Sequence, residues 1–105
     1  MAERLNKDNF DSKALQSRKL TLIEFYHDGC ISCKMLAPVL GELEDQYEDR
    51  LFVGKVNTNF DEELTQRFQV MASPTLIFFK DGKQLLKLTG AKEYEELEEI
   101  IEENL

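Results

Sequence analysis

The stretch Leu22-Ile23-Glu24-Phe25-Tyr26-His27-Asp28-Gly29-Cys30-Ile31-Ser32-Cys33-Lys34-Met35-Leu36-Ala37 begins as strand and ends as helix. Its first five residues form an apolar strand run, His27-Asp28-Gly29 supplies a turn, and a helical pattern starts from Cys33. Both cysteines of the chain therefore straddle a helix N-terminus. Unpaired amide N–H groups and the positive end of the helix dipole lower the pKa of a sulfur there, which makes Cys30 the attacking thiolate. Three-residue spacing on a helical turn brings Cys33 within bonding reach, so it can resolve a mixed disulfide and close an intramolecular one. Zinc sites use the same spacing, and the position after a strand favours the redox reading.

Outward from this stretch the elements alternate. Asp8 or Asn9 is positioned to cap a short helix through Leu15, and a strand follows from Leu20 to Tyr26. The helix from the cysteines to about Tyr47 carries an apolar stripe of Leu36, Ala37, Leu40, Leu43 and Tyr47, with Pro38 inside it to bend the axis. Phe52 to Asn57 is the next strand. Asn59-Phe60-Asp61-Glu62 resembles a capping box opening a helix to about Gln69. Pro74 precedes Thr75-Leu76-Ile77-Phe78-Phe79, a run too apolar for a sheet edge. Asp81-Gly82 makes a tight hairpin into a strand from Gln84 to Leu88. The last helix buries Tyr94, Leu97, Ile100, Ile101 and Leu105. A βαβ unit followed by an antiparallel hairpin predicts an α/β fold, a central mixed sheet flanked on both faces by helices, with strand faces nearly all buried.

At 105 residues the chain is expected to be a single domain over 1–105. Its composition, 42% apolar and 32% charged, is that of a globular protein, and no apolar run is long enough to span a membrane. No apolar h-region follows the charges at the N-terminus, which predicts a cytoplasmic protein. Thiols there are kept reduced, so two close cysteines point to reactivity or metal binding rather than a structural staple. The net charge of −8, from 21 acidic and 13 basic residues, repels nucleic acid and anionic lipid. The acids gather on the last helix, where they read as a solvated face.

At this point the chain resembles the thioredoxin family, over nearly its whole length. The resemblance rests on Ile23-Glu24-Phe25-Tyr26, Cys30 to Pro38, Gly54-Lys55-Val56-Asn57, Ser73-Pro74-Thr75-Leu76, Phe79-Lys80-Asp81-Gly82-Lys83 and Gly90. It implies the thioredoxin fold and a dithiol–disulfide oxidoreductase that reduces protein disulfides. No cofactor is implied. The implied partners are disulfide-containing proteins and a reductase, flavin- or ferredoxin-linked, acting on a monomer. It also implies a cis Pro74 against the active-site sulfurs, with the backbone of Ser73 pairing with an extended substrate segment; Gly90 is a further substrate-binding candidate. Glu24 stands at the family's buried aspartate and Lys55 at its neighbouring lysine. A carboxylate between Ile23 and Phe25 is costly to bury ionised, so its pKa should rise and it can take the proton Cys33 loses. The other readings are a glutamate reaching solvent and a lysine exposed on a strand.

The departures lie around the cysteines. Ile31-Ser32 stands where the family has Gly-Pro, Gly29 where it has tryptophan before the first cysteine, and Tyr26 where it has an upstream tryptophan. Losing the proline returns an amide N–H to the helix start, and Ser32 adds a hydroxyl able to bond a sulfur. Gly29, Ile31 and Ser32 are thus substrate-facing candidates on a reduced docking surface. His27, the only histidine, is either a polar turn residue, a cation beside the thiolate or a metal ligand. Two rival functions follow: a disulfide oxidant or isomerase with a shifted potential, and a metal-binding module using Cys30 and Cys33.

Overall fold

The computed structural model describes residues 2–105. Five strands form one mixed sheet in the order β1-β3-β2-β4-β5: β1 (Glu3–Arg4), β2 (Leu20–Tyr26), β3 (Leu51–Asn57), β4 (Thr75–Lys80) and β5 (Lys83–Thr89). β3 runs parallel to β1 and β2, whereas β4 is antiparallel to both β2 and β5. Three α-helices join them, α1 (Ile31–Gln46), α2 (Glu62–Arg67) and α3 (Tyr94–Asn104). The expected mixed sheet with helices on both faces is what forms.

Alternation along β2 assigns the faces. Leu20 and Leu22 pack with Leu36, Leu40, Leu43 and Tyr47 of α1 and with Leu97 and Ile101 of α3. Ile23 and Phe25 point the other way, toward Phe10, Ala14, Leu64 and Phe79. Phe10 and Phe79 meet edge to face at 5.8 Å between centroids, and Phe68 closes over Phe10 at 5.1 Å. β4, buried on both faces, lies inside the sheet, as its apolar run requires. Asp81 and Gly82 both have positive φ (53° and 79°), the backbone a two-residue hairpin needs.

Several expectations are corrected. β1 precedes all the expected elements; two residues are too few to show alternation. The segment Asp11–Leu15 is wound wide, with Gln16 N–H bonding Asp11 O at 3.0 Å, and neither Asp8 nor Asn9 caps it. Asn6 takes that place: its Oδ1 accepts from the amides of Asp8 (2.8 Å) and Asn9 (3.2 Å). Asn59 opens no helix, because its amide is turned onto Asn57 Oδ1 at 2.9 Å and Asp61 is the N-cap of α2. That helix stops at Arg67, before Gln69, which adopts a positive φ of 54°. β5 is largely exposed, being a sheet edge, and of the expected buried set on α3 only Leu97 and Ile101 are fully covered; Leu105 is exposed. Ala37, on the stripe of α1, is exposed as well.

Asp61 does more than cap. Its Oδ1 accepts from Leu64 N–H at 3.2 Å, and its Oδ2 from Lys7 N–H at 2.7 Å, tying the N-terminal segment to the start of α2. Asp61→Ala removes both acceptors from a buried site, and we expect a loss of about 2 kcal/mol in urea unfolding, with Asp61→Asn losing less. A loss below about 0.5 kcal/mol for the alanine variant would count against this tie.

Candidate active site

β2 delivers the chain to the C-terminal edge of the parallel strands, and the turn after Tyr26 leads straight into α1. Cys30 is the N-cap of α1, with an extended backbone (φ −89°, ψ 108°), and its Sγ accepts from Cys33 N–H at 3.1 Å. Sulfur here takes the place a serine or aspartate oxygen holds in ordinary caps. A donor aimed at Sγ favours thiolate over thiol, as does the helix dipole. The two sulfurs are joined as a disulfide, with Cα atoms 5.2 Å apart. Both cysteines are buried, while Ile31 (74% exposed) and Ser32 face outward from the turn between them. The Ser32 hydroxyl makes no hydrogen bond to a sulfur; the donor to Cys30 is the backbone of Cys33.

Beneath Cys33 the sheet presents Glu24 on the α1 face. It is 5% exposed, and its Oε2 has no hydrogen-bond partner. Parallel register sets Glu24 directly beside Lys55, and antiparallel register sets it against Leu76. Lys55 is half-buried, its Nζ lying 5.5 Å from the centre of the Tyr26 ring. Glu24 and Lys55 are not in ion-pair contact, since the side-chain pairs within 4 Å among the described residues are Lys13 with Glu3 and Arg67 with Asp11. Burial therefore dominates: it pushes the Glu24 carboxyl from 4.5 up to about 7, against the smaller opposing pull of the Lys55 charge. The reading of Glu24 as a solvent-reaching side chain is thereby set aside. A cleft of about 180 Å³ joins Glu24, Lys55 and Cys33, with Asp28, Lys34, Ala37 and His27 at its walls.

On the other side of the disulfide the Ser73–Pro74 peptide is cis. Gly90 N–H donates to Pro74 O at 2.8 Å, and Gly90 holds φ +90°, a conformation open to glycine and rarely to other residues. Ser73, Pro74 and Gly90, far apart in sequence, are thus one unit. Ser73 also lines a groove of about 330 Å³ with His27, Thr58 and Met71. Gly29 has no such need: a Cβ there would meet only His27 ring atoms at 3.7 Å.

Sequence reasoning missed Asn57, which is buried and donates through Nδ2 to Asp28 Oδ1 at 3.4 Å, and Thr58, whose amide and hydroxyl both bond Tyr26 O. These residues hold the turn from the β3 end. The register of β2 on β3, which pairs Tyr26 with Asn57, brings them to the turn. Among the described residues no three of His, Cys, Asp and Glu gather as a metal site. No helix among them is long and apolar enough to cross a membrane.

Comparison with known proteins agrees with this geometry. The family model for thioredoxin matches residues 1–103. Thioredoxin from Staphylococcus saprophyticus is 37% identical over 102 residues, covering 97% of this chain and 96% of that protein. Thioredoxin from Alicyclobacillus acidocaldarius is 38% identical over 94 residues, covering 90% of this chain and 89% of its own. Thioredoxin-T from Drosophila melanogaster is 41% identical over 86 residues, 81% of this chain and 55% of that protein. The chain belongs to the thioredoxin family, dithiol–disulfide oxidoreductases that act on protein disulfides and are recycled by a reductase.

Proposed function

We propose that this chain is a single-domain, monomeric cytoplasmic reductant of protein disulfides, with Cys30 as nucleophile and Cys33 as resolving thiol. The Cys30 thiolate attacks one sulfur of the substrate, forming a mixed disulfide and releasing the other sulfur as a thiolate, which takes a proton from water. Glu24 takes the Cys33 proton, and Cys33 attacks Cys30 Sγ, expelling the second substrate sulfur. The substrate gains two electrons and the chain is left with its Cys30–Cys33 disulfide, which a flavin- or ferredoxin-linked reductase returns to the dithiol.

Lys55 lowers the cost of the Glu24 charge. Ser73, Pro74 and Gly90 receive the substrate backbone, while Gly29, Ile31 and Ser32 form the rim its side chains meet. The single observation carrying this reading is the Cys33 amide at 3.1 Å from Cys30 Sγ, on a sulfur that caps a helix. Equilibrating the pair in defined thiol buffers and trapping free thiols tests it. A potential near the thioredoxin value of about −270 mV is expected; one above about −200 mV would instead assign oxidation or isomerisation.

A further inference from the structure

At the end of the sheet remote from the cysteines, a groove of about 340 Å³ is lined by Arg18, Lys19, Arg50 and Lys80, with Asp49 and the terminal residue Leu105 supplying the two carboxylates on its wall. The register of Leu20 on Leu51, and of Thr21 on Phe79, brings these cations together from three separate segments of the chain. The net charge is −8, yet no carboxylate of the described residues lies within 4 Å of any of the four. Lys19 also borders a neighbouring groove, where Glu3, Glu44, Asp45 and Glu48 gather.

Three of the cations are held by groups without net charge. Lys80 Nζ donates to Asn104 O at 2.8 Å, Lys19 Nζ to Glu48 O at 3.4 Å, and the Arg50 guanidinium lies 5.3 Å from the centre of the Tyr47 ring. Each anchor fixes a position while leaving the charge, and most N–H donors, uncommitted. Bonds to the carbonyls of Glu48, in the turn after α1, and of Asn104, at the end of α3, account for Lys19 and Lys80; nothing of the kind accounts for Arg18 and Arg50 facing the same space. Arg18 has no polar side-chain partner among the described residues. Two guanidinium forks and two ammonium groups around one small groove match the oxygens of a phosphate-type polyanion, with room for a diphosphate and its water.

We propose that the groove between Arg18, Lys19, Arg50 and Lys80 is a binding site for a small polyanion of the phosphate class. β2 spans seven residues, which sets the site roughly 20 Å from the redox pair, so the ligand is no substrate of the thiol chemistry. The test is an amide NMR titration of the full chain with sodium pyrophosphate at constant ionic strength, with potassium chloride as the reference salt. Saturable shifts are expected at residues 18–20, 49–51 and 80. Binding should weaken at least fivefold in R18Q and at least tenfold in R18Q/R50Q, and stay unchanged in K7Q/K92Q, which removes the same charge elsewhere. Shifts that fail to saturate, that chloride reproduces, or that survive in R18Q/R50Q would overturn the proposal. R18Q alone carries the test if the double variant does not fold, because Arg18 is exposed and has no polar side-chain partner among the described residues.

Discussion

Cys30→Ser is expected to lower turnover of a protein disulfide by about a thousandfold or more, whereas Cys33→Ser should keep the first chemical step and stall at the second. The asymmetry follows from where the two sulfurs sit. Cys30 Sγ is the group that accepts the Cys33 amide and caps α1, so its thiolate is favoured. Cys33 lies one helical turn further on, buried over the cleft that leads to Glu24. Serine at 30 leaves no nucleophile of comparable strength, since a hydroxyl at that position stays protonated. Serine at 33 leaves the attacking thiolate but removes the group that must displace it from the substrate. Mass spectrometry of each variant, incubated with an oxidised protein and then trapped with a thiol reagent, distinguishes the outcomes. A mixed disulfide should accumulate on the Cys33→Ser variant alone. Accumulation on Cys30→Ser instead would reverse the assignment of attacker and resolver.

The strand–turn–helix junction that holds both cysteines was legible because local chemistry decides it. A strand of apolar residues, a turn and a helix start need no tertiary information, and two cysteines at that junction carry their own electrostatic argument. The Asp81-Gly82 hairpin was legible for the same reason: both residues must adopt positive φ, and the residue types that do so are few. Where the sequence reading failed, long-range contacts decided. Asp61 and Asn59 are both plausible caps by residue type, and only the arrival of Lys7 N–H at Asp61 Oδ2 and the Asn57 turn separate them. Alternation in β5 resembles that of a covered strand; exposure follows from its place at the sheet edge, which depends on the strand order. The site divides the same way. Glu24 could be read as buried from its neighbours and as beside Lys55 from the family resemblance, but the junction of Gly90 with Pro74 exists only once the sheet is assembled.

Glu24 makes stability and reactivity depend on pH over one window, with opposite requirements. Its carboxyl titrates near 4.5 when the chain is unfolded and at about 7 when folded, because burial penalises the charged form more than Lys55 relieves it. Between those values the folded state binds a proton that the unfolded state has lost, so unfolding free energy must fall as pH rises. The contribution is fully present below pH 4.5 and lost as pH passes through about 7. That shift corresponds to about 3 kcal/mol, a large fraction of the stability of a domain this size. Glu24→Gln keeps the shape and cannot ionise. Relative to its own difference from the parent at pH 4.5, it should therefore gain up to about 3 kcal/mol by pH 8 in denaturant unfolding. Lys55→Met removes the opposing charge and should move the upper edge of the window to higher pH. On the proposed mechanism reactivity runs the other way, since the ionised carboxylate is the form that would take the Cys33 proton. At pH 7 and above, Glu24→Gln should slow release of the reduced substrate by about 100-fold while leaving attack by Cys30 nearly unchanged, so mixed disulfide builds up. A stability difference between parent and Glu24→Gln that stays flat from pH 4.5 to 8 would show that Glu24 ionises at its ordinary value and that its burial carries no such cost. Unaltered release in the same variant would remove it from the proton path even if the stability window were present.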